Sequence, residues 1–427
     1  MKKVLIICYY WPPAGGPGVQ RWLKFAAYLR EFGVEPILFV PENPEYPIID
    51  NDIVNEVPLD LTILKLPIKE PYRFAKLLSS KKTKRISSGI ISNKKSSIIE
   101  KILLYIRGNF FIPDARIGWV KPAIKFLTNY LEHNKIDVII SSGPPHSLHL
   151  IGLGVKEKHT IPWIADFRDP WTTIHYHSSL KLSEKSEARH KRLERIVLNE
   201  ADEIIVTSPS TKIEFKAITN KPITVITNGF EPKEGIQRVL DTKFTIVHTG
   251  SILSERNPVI LWRVLSELVA ENAVFKNDLK IIFAGAVSEV VIKNIKEIDL
   301  TENLEMKGYV NHQEAIQLQH NAQVLLLLEI DRPETRAIIP GKLFEYLKAK
   351  RPILALGPDG SDIEAILTET NTGDYIPITL EGKIRDVILQ HYKSYKSGTL
   401  EVASKGISKY SRKSLTKELS EVIFRNL

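Results

Sequence analysis

Residues 324–356 read VLLLLEIDRPETRAIIPGKLFEYLKAKRPILAL, and this stretch decides the fold. Five consecutive aliphatic residues, Val324 to Leu328, stop at a charged loop that contains a proline. A helical spacing of apolar residues then starts at Pro340-Gly341 and runs to Ala349. Arg351-Pro352 leads into a second aliphatic run over 353–356. Runs that short, and apolar on both faces, suit parallel strands covered by helices on either side. Strand, helix and strand in succession form the βαβ unit of an α/β domain.

The same alternation extends outward in both directions. Strands are expected at 3–8, 36–40, 137–141, 163–166, 203–207 and 224–226, with helices at 19–32, 121–133 and 184–199. The pattern restarts with strands at 245–248, 280–284, 304–307, 324–328 and 353–356. Its helices are expected at 257–272, 312–320, 341–349 and 363–369. The turn-rich Asn228-Gly229-Phe230-Glu231-Pro232 reads as a linker between the halves. The expectation is two domains, 1–230 and 231–410, followed by a helical segment at 411–427. A length of 427 residues accommodates both cores. A cleft between two such domains is a usual place for a small-molecule site.

Composition narrows the classes. With 43% hydrophobic and 26% charged residues, extended disorder and fibrous architectures are excluded. One cysteine, Cys8, excludes a disulfide framework and a Cys-rich zinc site, and fits a reducing compartment. The run at 324–328 is far short of the ~20 apolar residues that span a bilayer, so no membrane crossing is expected. The opening MKKVLIICYYWPP reads as a buried strand rather than a secretory signal. Its apolar run is short, ends in Tyr-Tyr-Trp-Pro-Pro and lacks a small-residue cleavage site.

The net charge of +9 is unevenly placed. Residues 1–220 carry 32 basic and 23 acidic residues, and the remainder carries 27 of each. Much of the excess lies in 69–107, from Lys69, Arg73 and Lys76 through Lys94 and Lys95 to Lys101 and Arg107, against only Glu70 and Glu100. Apolar residues such as Phe74, Ile90, Ile102 and Ile106 are interleaved. Such an insertion suits an anionic membrane surface, where each Lys or Arg contributes about 1 kcal/mol. A solvated insertion is the plain alternative. No nucleic-acid-binding motif accompanies the charge, so nucleic acid is not an expected partner.

Several loops carry candidate chemistry. Gly15-Gly16-Pro17-Gly18 lies between the first strand and a helix, where backbone approaches a phosphate or sugar and the helix dipole favours negative charge. The spacing is not GxGxxG, so a dinucleotide fingerprint is unsupported. Ser141-Ser142-Gly143-Pro144-Pro145-His146 and Asp166-Phe167-Arg168-Asp169-Pro170-Trp171 each follow a strand, and ligands of open α/β sheets sit beyond the carboxyl ends of strands. Asp166, Arg168 and Asp169 would bring two carboxylates and a guanidinium together, as a loop-holding ion pair or as a clamp on sugar hydroxyls or phosphate. His146 is either structural or part of that site. His175-Tyr-His177 would put two imidazoles on one side of a strand, but no third ligand supports a metal.

In the second half, His248-Thr249-Gly250-Ser251 leads to Arg256, well placed for a diphosphate. Lys342 and Glu345 share one face of the first turn of the helix entered at Pro340. There a cation would meet phosphate while a carboxylate accepts both ribose hydroxyls. The bland alternative is an i,i+3 surface ion pair.

Pro340-Gly-Lys-Leu-Phe-Glu345-Tyr-Leu with Arg351-Pro-Ile-Leu-Ala resembles the nucleotide-binding helix of retaining glycosyltransferases of family 4, which have the GT-B fold. The resemblance takes in the Trp11–Arg21 loop, Asp166–Trp171, Val225-Ile-Thr-Asn-Gly-Phe230, His248-Thr-Gly250, Arg256-Asn-Pro and Gly308-Tyr-Val310, in the family's order. It implies two Rossmann-like domains with parallel sheets facing across an interdomain cleft. The acceptor would lie on the N-terminal domain and the nucleotide sugar mainly on the C-terminal one, with the last helix crossing back to the first. Carried over, Glu345 binds the ribose, Arg256 takes the place of the diphosphate-binding lysine with Lys342 beside it, and Gly15, Gly16 and Gly250 face the donor. Arg168 falls where many members carry a histidine that touches the donor sugar; Asp166, Asp169 and His146 complete the expected catalytic set. Two positions depart from the family: Ala337 stands where the first glutamate of Glu-x7-Glu is usual, and Ser251 where an arginine is.

The resemblance implies transfer of a sugar from a nucleoside diphosphate with retained configuration, without a metal cofactor. The acceptor would be a lipid-linked glycan of cell-surface polysaccharide biosynthesis. The site of action would be the inner face of the cytoplasmic membrane, with 69–107 as the anchor. The rival readings are a non-catalytic nucleotide-sugar or membrane-binding protein and a UDP-sugar 2-epimerase.

Overall fold

The structure is a computed structural model that describes residues 1–70, 98–175, 177–232 and 237–427. Most of the basic insertion expected at 69–107 therefore lies outside the described residues. The chain divides into two compact units, residues 1–228 with 412–427, and residues 229–411.

The first unit is built on β1 (Lys2–Ile7), β2 (Val34–Pro41), β3 (Thr62–Leu66), β4 (Val138–Gly143), β5 (Trp163–Phe167), β6 (Glu203–Val206) and β7 (Ile223–Val225). All pair parallel, in the order β3-β2-β1-β4-β5-β6-β7. Its helices are α1 (Pro17–Tyr28), α2 (Ile98–Phe110), α3 (Ile117–His133), α4 (Ser147–Lys156), α5 (Glu184–Glu200) and α6 (Pro209–Lys216). The alternation within β1 shows why the sheet is covered twice: Val4 and Ile6 enter one core, Leu5 and Ile7 the other.

The second unit repeats the plan with β8 (Phe244–Thr249), β9 (Leu279–Ala284), β10 (Leu304–Gly308), β11 (Val324–Leu328), β12 (Ile353–Gly357) and β13 (Gly373–Pro377). The order is β10-β9-β8-β11-β12-β13, again all parallel. Its helices are α7 (Val259–Glu271), α8 (Ala273–Asp278), α9 (Glu289–Glu297), α10 (His312–Asn321), α11 (Gly341–Ala349), α12 (Asp362–Thr370) and α13 (Glu381–Lys396). The leucine run of β11 is divided between two cores, Leu326 and Leu328 on one face and Leu325 and Leu327 on the other. The last helix, α14 (Arg412–Arg425), belongs to the first unit, where Leu415, Leu419, Val422 and Ile423 join the core that also holds Trp22 and Phe25 of α1.

Each sheet reverses its strand order once, between β1 and β4 and between β8 and β11. In open α/β sheets ligands bind outside the carboxyl ends of the strands at such a switch point. Two edge strands, β3 and β13, were not expected from the sequence, and α2, α4, α6, α8, α9 and α13 add helices to those read there. The strand expected through His175 and His177 does not form. Pro170 lies just beyond β5, the chain turns, and His177 opens a 3-10 turn. Among the described residues no helix is long and apolar enough to cross a membrane.

Candidate active site

At the switch point of the second unit, β8 runs out through His248, Thr249 and Gly250. Gly250 has φ 97°, and a Cβ there would stand 2.8 Å from Lys342 Nζ, so the turn needs glycine both for its backbone and for the lysine packed beneath it. Helix α11 starts at Gly341 after an extended Pro340, which puts Lys342 in its first turn and Glu345, three residues on, just beyond it. Lys350, in the left-handed region at φ 53°, ends it.

Lys342 Nζ donates to Thr249 O at 2.5 Å and lies 3.1 Å from His248 Nε2. The tautomer of His248 follows from its other nitrogen, whose Nδ1–H donates to Leu326 O at 2.9 Å. Glu345 does not pair with Lys342. Its Oε2 accepts from Gln319 Nε2 at 2.9 Å, and the same amide reaches Thr249 Oγ1 at 3.1 Å. The surface ion pair is thereby replaced by an oriented carboxylate. Tyr346 OH, buried below, accepts from Thr249 N at 3.0 Å.

Arg256 sits on the 3-10 turn Ser254–Arg256, half-buried, its Nε enclosed and without a partner among the described residues. Burial lowers its proton affinity, with Glu329 and Glu255 opposing. Burial, then the nearby Arg256, pulls Lys342 down to about 7, with Glu345 opposing. Two cations thus converge on one glycine turn, and neither forms an ion pair among the described residues.

Sequence reasoning missed Glu329, one residue beyond β11. It is buried, accepts from Tyr375 OH at 2.7 Å, and burial pushes it up to about 7. A lone acidic residue after a leucine run was the only signal, and nothing local pointed to Tyr375. At the departures from the family, Arg332 Nη2 is taken up by Glu255 at 2.8 Å, leaving Glu334 and Arg336 exposed near Ala337.

The first unit treats its charges differently. Asp166 is fully buried: Oδ1 accepts from Arg21 Nη2 at 2.9 Å, and Oδ2 from Trp22 Nε1 at 3.1 Å and Ser142 Oγ at 2.7 Å. Arg21 also donates to Ile226 O and Thr227 O. Asp166, expected in the catalytic set, is thus buried and fully engaged within the first unit. The cluster of Asp166, Arg168 and Asp169 does not form as one. Arg168 turns away to donate to Pro144 O and lies against the first turn of α1, where a Cβ on Gly18 would collide with its Nη1. Asp169 stays beside Arg168 and His175, raised by burial.

Gly15 N donates to Ile48 O at 3.0 Å, and Gly16, with φ 105°, caps α1. His146 is only 7% exposed and stacks on Trp171 at 4.9 Å, so it faces inward rather than toward solvent. Burial holds it well below the usual imidazole range. Among the described residues no group of three or more His, Cys, Asp or Glu converges to hold a metal ion.

Comparison with known proteins agrees with this architecture. Residues 90–234 match Glycosyltransferase Family 4. A glycosyltransferase from Rickettsia africae superposes with a TM-score of 0.60 at 11% identity, covering 100% of this chain and 98% of that one. HepE of Anabaena, solved with UDP and glucose, gives 0.59 at 12%, covering 99% and 100%. WaaG, a glycosyltransferase of lipopolysaccharide biosynthesis, gives 0.57 at 10%, covering 98% and 99%. The UDP-GlcNAc 2-epimerase of Methanocaldococcus jannaschii shares the same fold. Among curated proteins no sequence matches the chain. The chain thus resembles Glycosyltransferase Family 4 over residues 90–234, and its fold over the whole length is that of GT-B glycosyltransferases.

Proposed function

We propose that the protein is a retaining glycosyltransferase that moves a sugar from a nucleoside-diphosphate sugar to a glycan acceptor. The observation that carries the reading is the convergence of Lys342 and Arg256, both without ion pairs among the described residues, on the Gly250 turn beside an oriented Glu345. Two unpaired, partly desolvated cations are costly unless an anion joins them. A diphosphate supplies that anion, and to Glu345, held by Gln319, we assign the two hydroxyls of the ribose.

As the glycosidic bond to the diphosphate breaks, the sugar gains oxocarbenium character and the leaving group gains negative charge. Arg256 and Lys342 stabilise that charge from fixed positions. They supply positive charge at the diphosphate, so the reading calls for no metal cofactor. To the first unit we assign the acceptor, with Arg168, Asp169, His146 and the glycine turn at Gly15 and Gly16 as the residues to test.

The acceptor class we assign is a lipid-linked glycan of cell-surface polysaccharide, met at the inner face of the cytoplasmic membrane. WaaG, with the same fold, acts in lipopolysaccharide biosynthesis. Helix α2 supports the membrane part. Ile102, Tyr105, Ile106 and Phe110 are all exposed and follow one helical face, and Asn109 of the same helix reaches Lys181 O. Sedimentation with anionic vesicles at low salt tests it. Loss of binding on replacing Ile102, Ile106 and Phe110 by serine supports the surface, and unchanged binding removes it.

The donor reading is tested by melting temperature against UDP-, GDP-, dTDP- and CMP-sugars. A ligand at about 100 times its Kd adds about 2.7 kcal/mol. Stabilisation by one nucleotide class, lost in Glu345→Ala, supports the site. Stabilisation without transfer to any glycan favours a non-catalytic binder, and a C2 epimer formed without acceptor favours the epimerase.

A further inference from the structure

Glu329 follows β11, Pro358 follows β12 and Tyr375 lies in β13, and their oxygens stand in a row. Tyr375 OH lies 2.7 Å from Glu329 Oε2 and 2.8 Å from Pro358 O. Each contact has the ordinary length of an O–H···O bond with a proton of its own. A phenol has one proton to give, and a carbonyl has none. As donor to both neighbours, Tyr375 would share that proton and leave one contact as lone pair against lone pair. Both contacts are filled if Glu329 Oε2–H donates to the phenol oxygen and the phenol donates to Pro358 O.

Solvent does not supply the missing proton. Glu329 is 6% exposed and Tyr375 5%. The pair closes directly over Gly357, where a Cβ would stand 2.5 Å from Tyr375 OH and 2.6 Å from Glu329 Oε2. The other carboxyl oxygen, Oε1, is enclosed without a partner among the described residues. An enclosed, unpartnered oxygen is costly for a carboxylate and much less so for the carbonyl of a neutral acid.

The surroundings divide. The Ser361 hydroxyl, at the start of α12, and Arg256, on the 3-10 turn, favour the ionised acid; Asp362 opposes them, and Glu364 of α12 acts on Tyr375. Burial prevails over the groups that favour charge. Glu255, the other carboxylate near Arg256, is engaged by Arg332.

We propose that Glu329 is a neutral, proton-bearing acid in the empty site, donating to Tyr375, and that it acts as a positioning residue through Arg256. The role, though not the proton, rests on the donor reading above. With Glu329 uncharged, Arg256 keeps its full charge for the diphosphate. When rising pH removes the proton, a negative charge faces the incoming donor. The filled site therefore holds the proton more tightly than the empty one, and donor affinity falls as pH rises through that range.

The test compares the full chain with Glu329→Gln, whose amide donates to Tyr375 as the acid does but has no titrating proton. Melting temperatures of both are read from pH 5 to pH 8. An acid that keeps its proton when folded and loses it on unfolding makes the wild-type protein lose stability as pH rises. The melting temperature of Glu329→Gln relative to wild type should therefore climb by several degrees across the range. An ionised Glu329 paired with Arg256 gives the opposite slope, and that slope, or a flat difference, overturns the proposal. Infrared spectroscopy supplies a second reading. The C=O stretch of an undissociated carboxyl should be present at pH 6, fade toward pH 9, and move in Tyr375→Phe, where the acid loses its acceptor. A spectrum unchanged by both substitutions overturns the proton on Glu329.

Calorimetry with UDP-glucose, UDP-N-acetylglucosamine and GDP-mannose then tests the role. The ratio of wild-type Kd to Glu329→Gln Kd should grow about three- to tenfold from pH 6 to pH 8.5, tenfold matching a pKa raised by one in the complex. Groups common to both proteins, Lys342 included, cancel in that ratio. A constant ratio beside the expected melting slope overturns the role and leaves the donor site standing. No binding of any of the three sugars to the wild-type protein at pH 6 overturns the donor reading and the role with it.

Discussion

The two units share a strand order and differ in what they do with charge at the carboxyl ends of their strands. In the first, Asp166 is saturated by Arg21, Trp22 and Ser142. Elsewhere in the same unit, Glu70 accepts from Tyr9 OH at 2.8 Å and lies 3.1 Å from Arg116 Nε. In the second, Lys342 and Arg256 are brought to the Gly250 turn and left without a carboxylate partner among the described residues. Charges that satisfy each other hold a loop in place. Charges left waiting define where a ligand belongs. The same topology thus supplies a braced surface in one unit and, in the other, the unpaired charges on which the donor proposal rests.

The contrast breaks most directly at Asp166. Asp166→Ala leaves Arg21 buried and uncompensated, with an expected cost of about 3–5 kcal/mol, read by urea unfolding. A loss near zero would mean the buried pair braces nothing. In the second unit the order should reverse. Arg256→Ala should weaken nucleotide-sugar binding by about ten- to a hundredfold, as loss of a charged hydrogen bond does, while the melting temperature holds. A collapse in stability would make Arg256 a brace like Arg21.

Acid should separate the units further. His146, His149, His177 and His190 of the first unit are all held below the usual imidazole range by burial, His149 to about 3 and His177 to about 4. The unfolded chain takes up these protons first, so stability is whole above pH 6.5 and is lost as pH falls toward those values. The second unit holds two such histidines, His248 and His320, against these four, so hydrogen exchange at pH 4.5 should show the first unit losing more protection than the second, and equal loss would erase the distinction. The smallest expected effect is at Gln319. Gln319→Ala frees Glu345 and should weaken nucleotide binding about three- to tenfold, the value of one hydrogen bond, with kcat for glycosyl transfer little changed.

The interior of both sheets was legible because β1, β11 and β12 are buried on both faces and so are written as short continuous apolar runs, while β8 keeps enough of one, Phe244-Thr-Ile-Val247, to read as a strand. The edges were not. β3 is half-exposed along most of its length, and β13 mixes glycine, aspartate and proline with two buried residues. Neither has the run that marks an inner strand. At the site, Gly250, Arg256, Lys342 and Glu345 could be named from the sequence because each follows a strand or opens a helix. Their supporting partners could not. His248 lies 94 positions from Lys342, Glu329 lies 46 from Tyr375, and Arg21 lies 145 from Asp166. Asp166 looked like a reactive group because its neighbours Arg168 and Asp169 are polar. Which of three adjacent charges turns inward depends on a helix far away in the chain.

Helix α14 carries a consequence for how the molecule is made. It covers Trp22 and Phe25 of α1 through Leu415, Leu419, Val422 and Ile423, yet the whole second unit lies between them in the chain. On the ribosome the earlier unit emerges first and the later one folds next, since domains fold as units during synthesis. The apolar flank of α1 therefore stays uncovered until residues 412–425 have emerged. A nascent chain arrested before that point should be a chaperone client, and release from the chaperone should mark the arrival of α14.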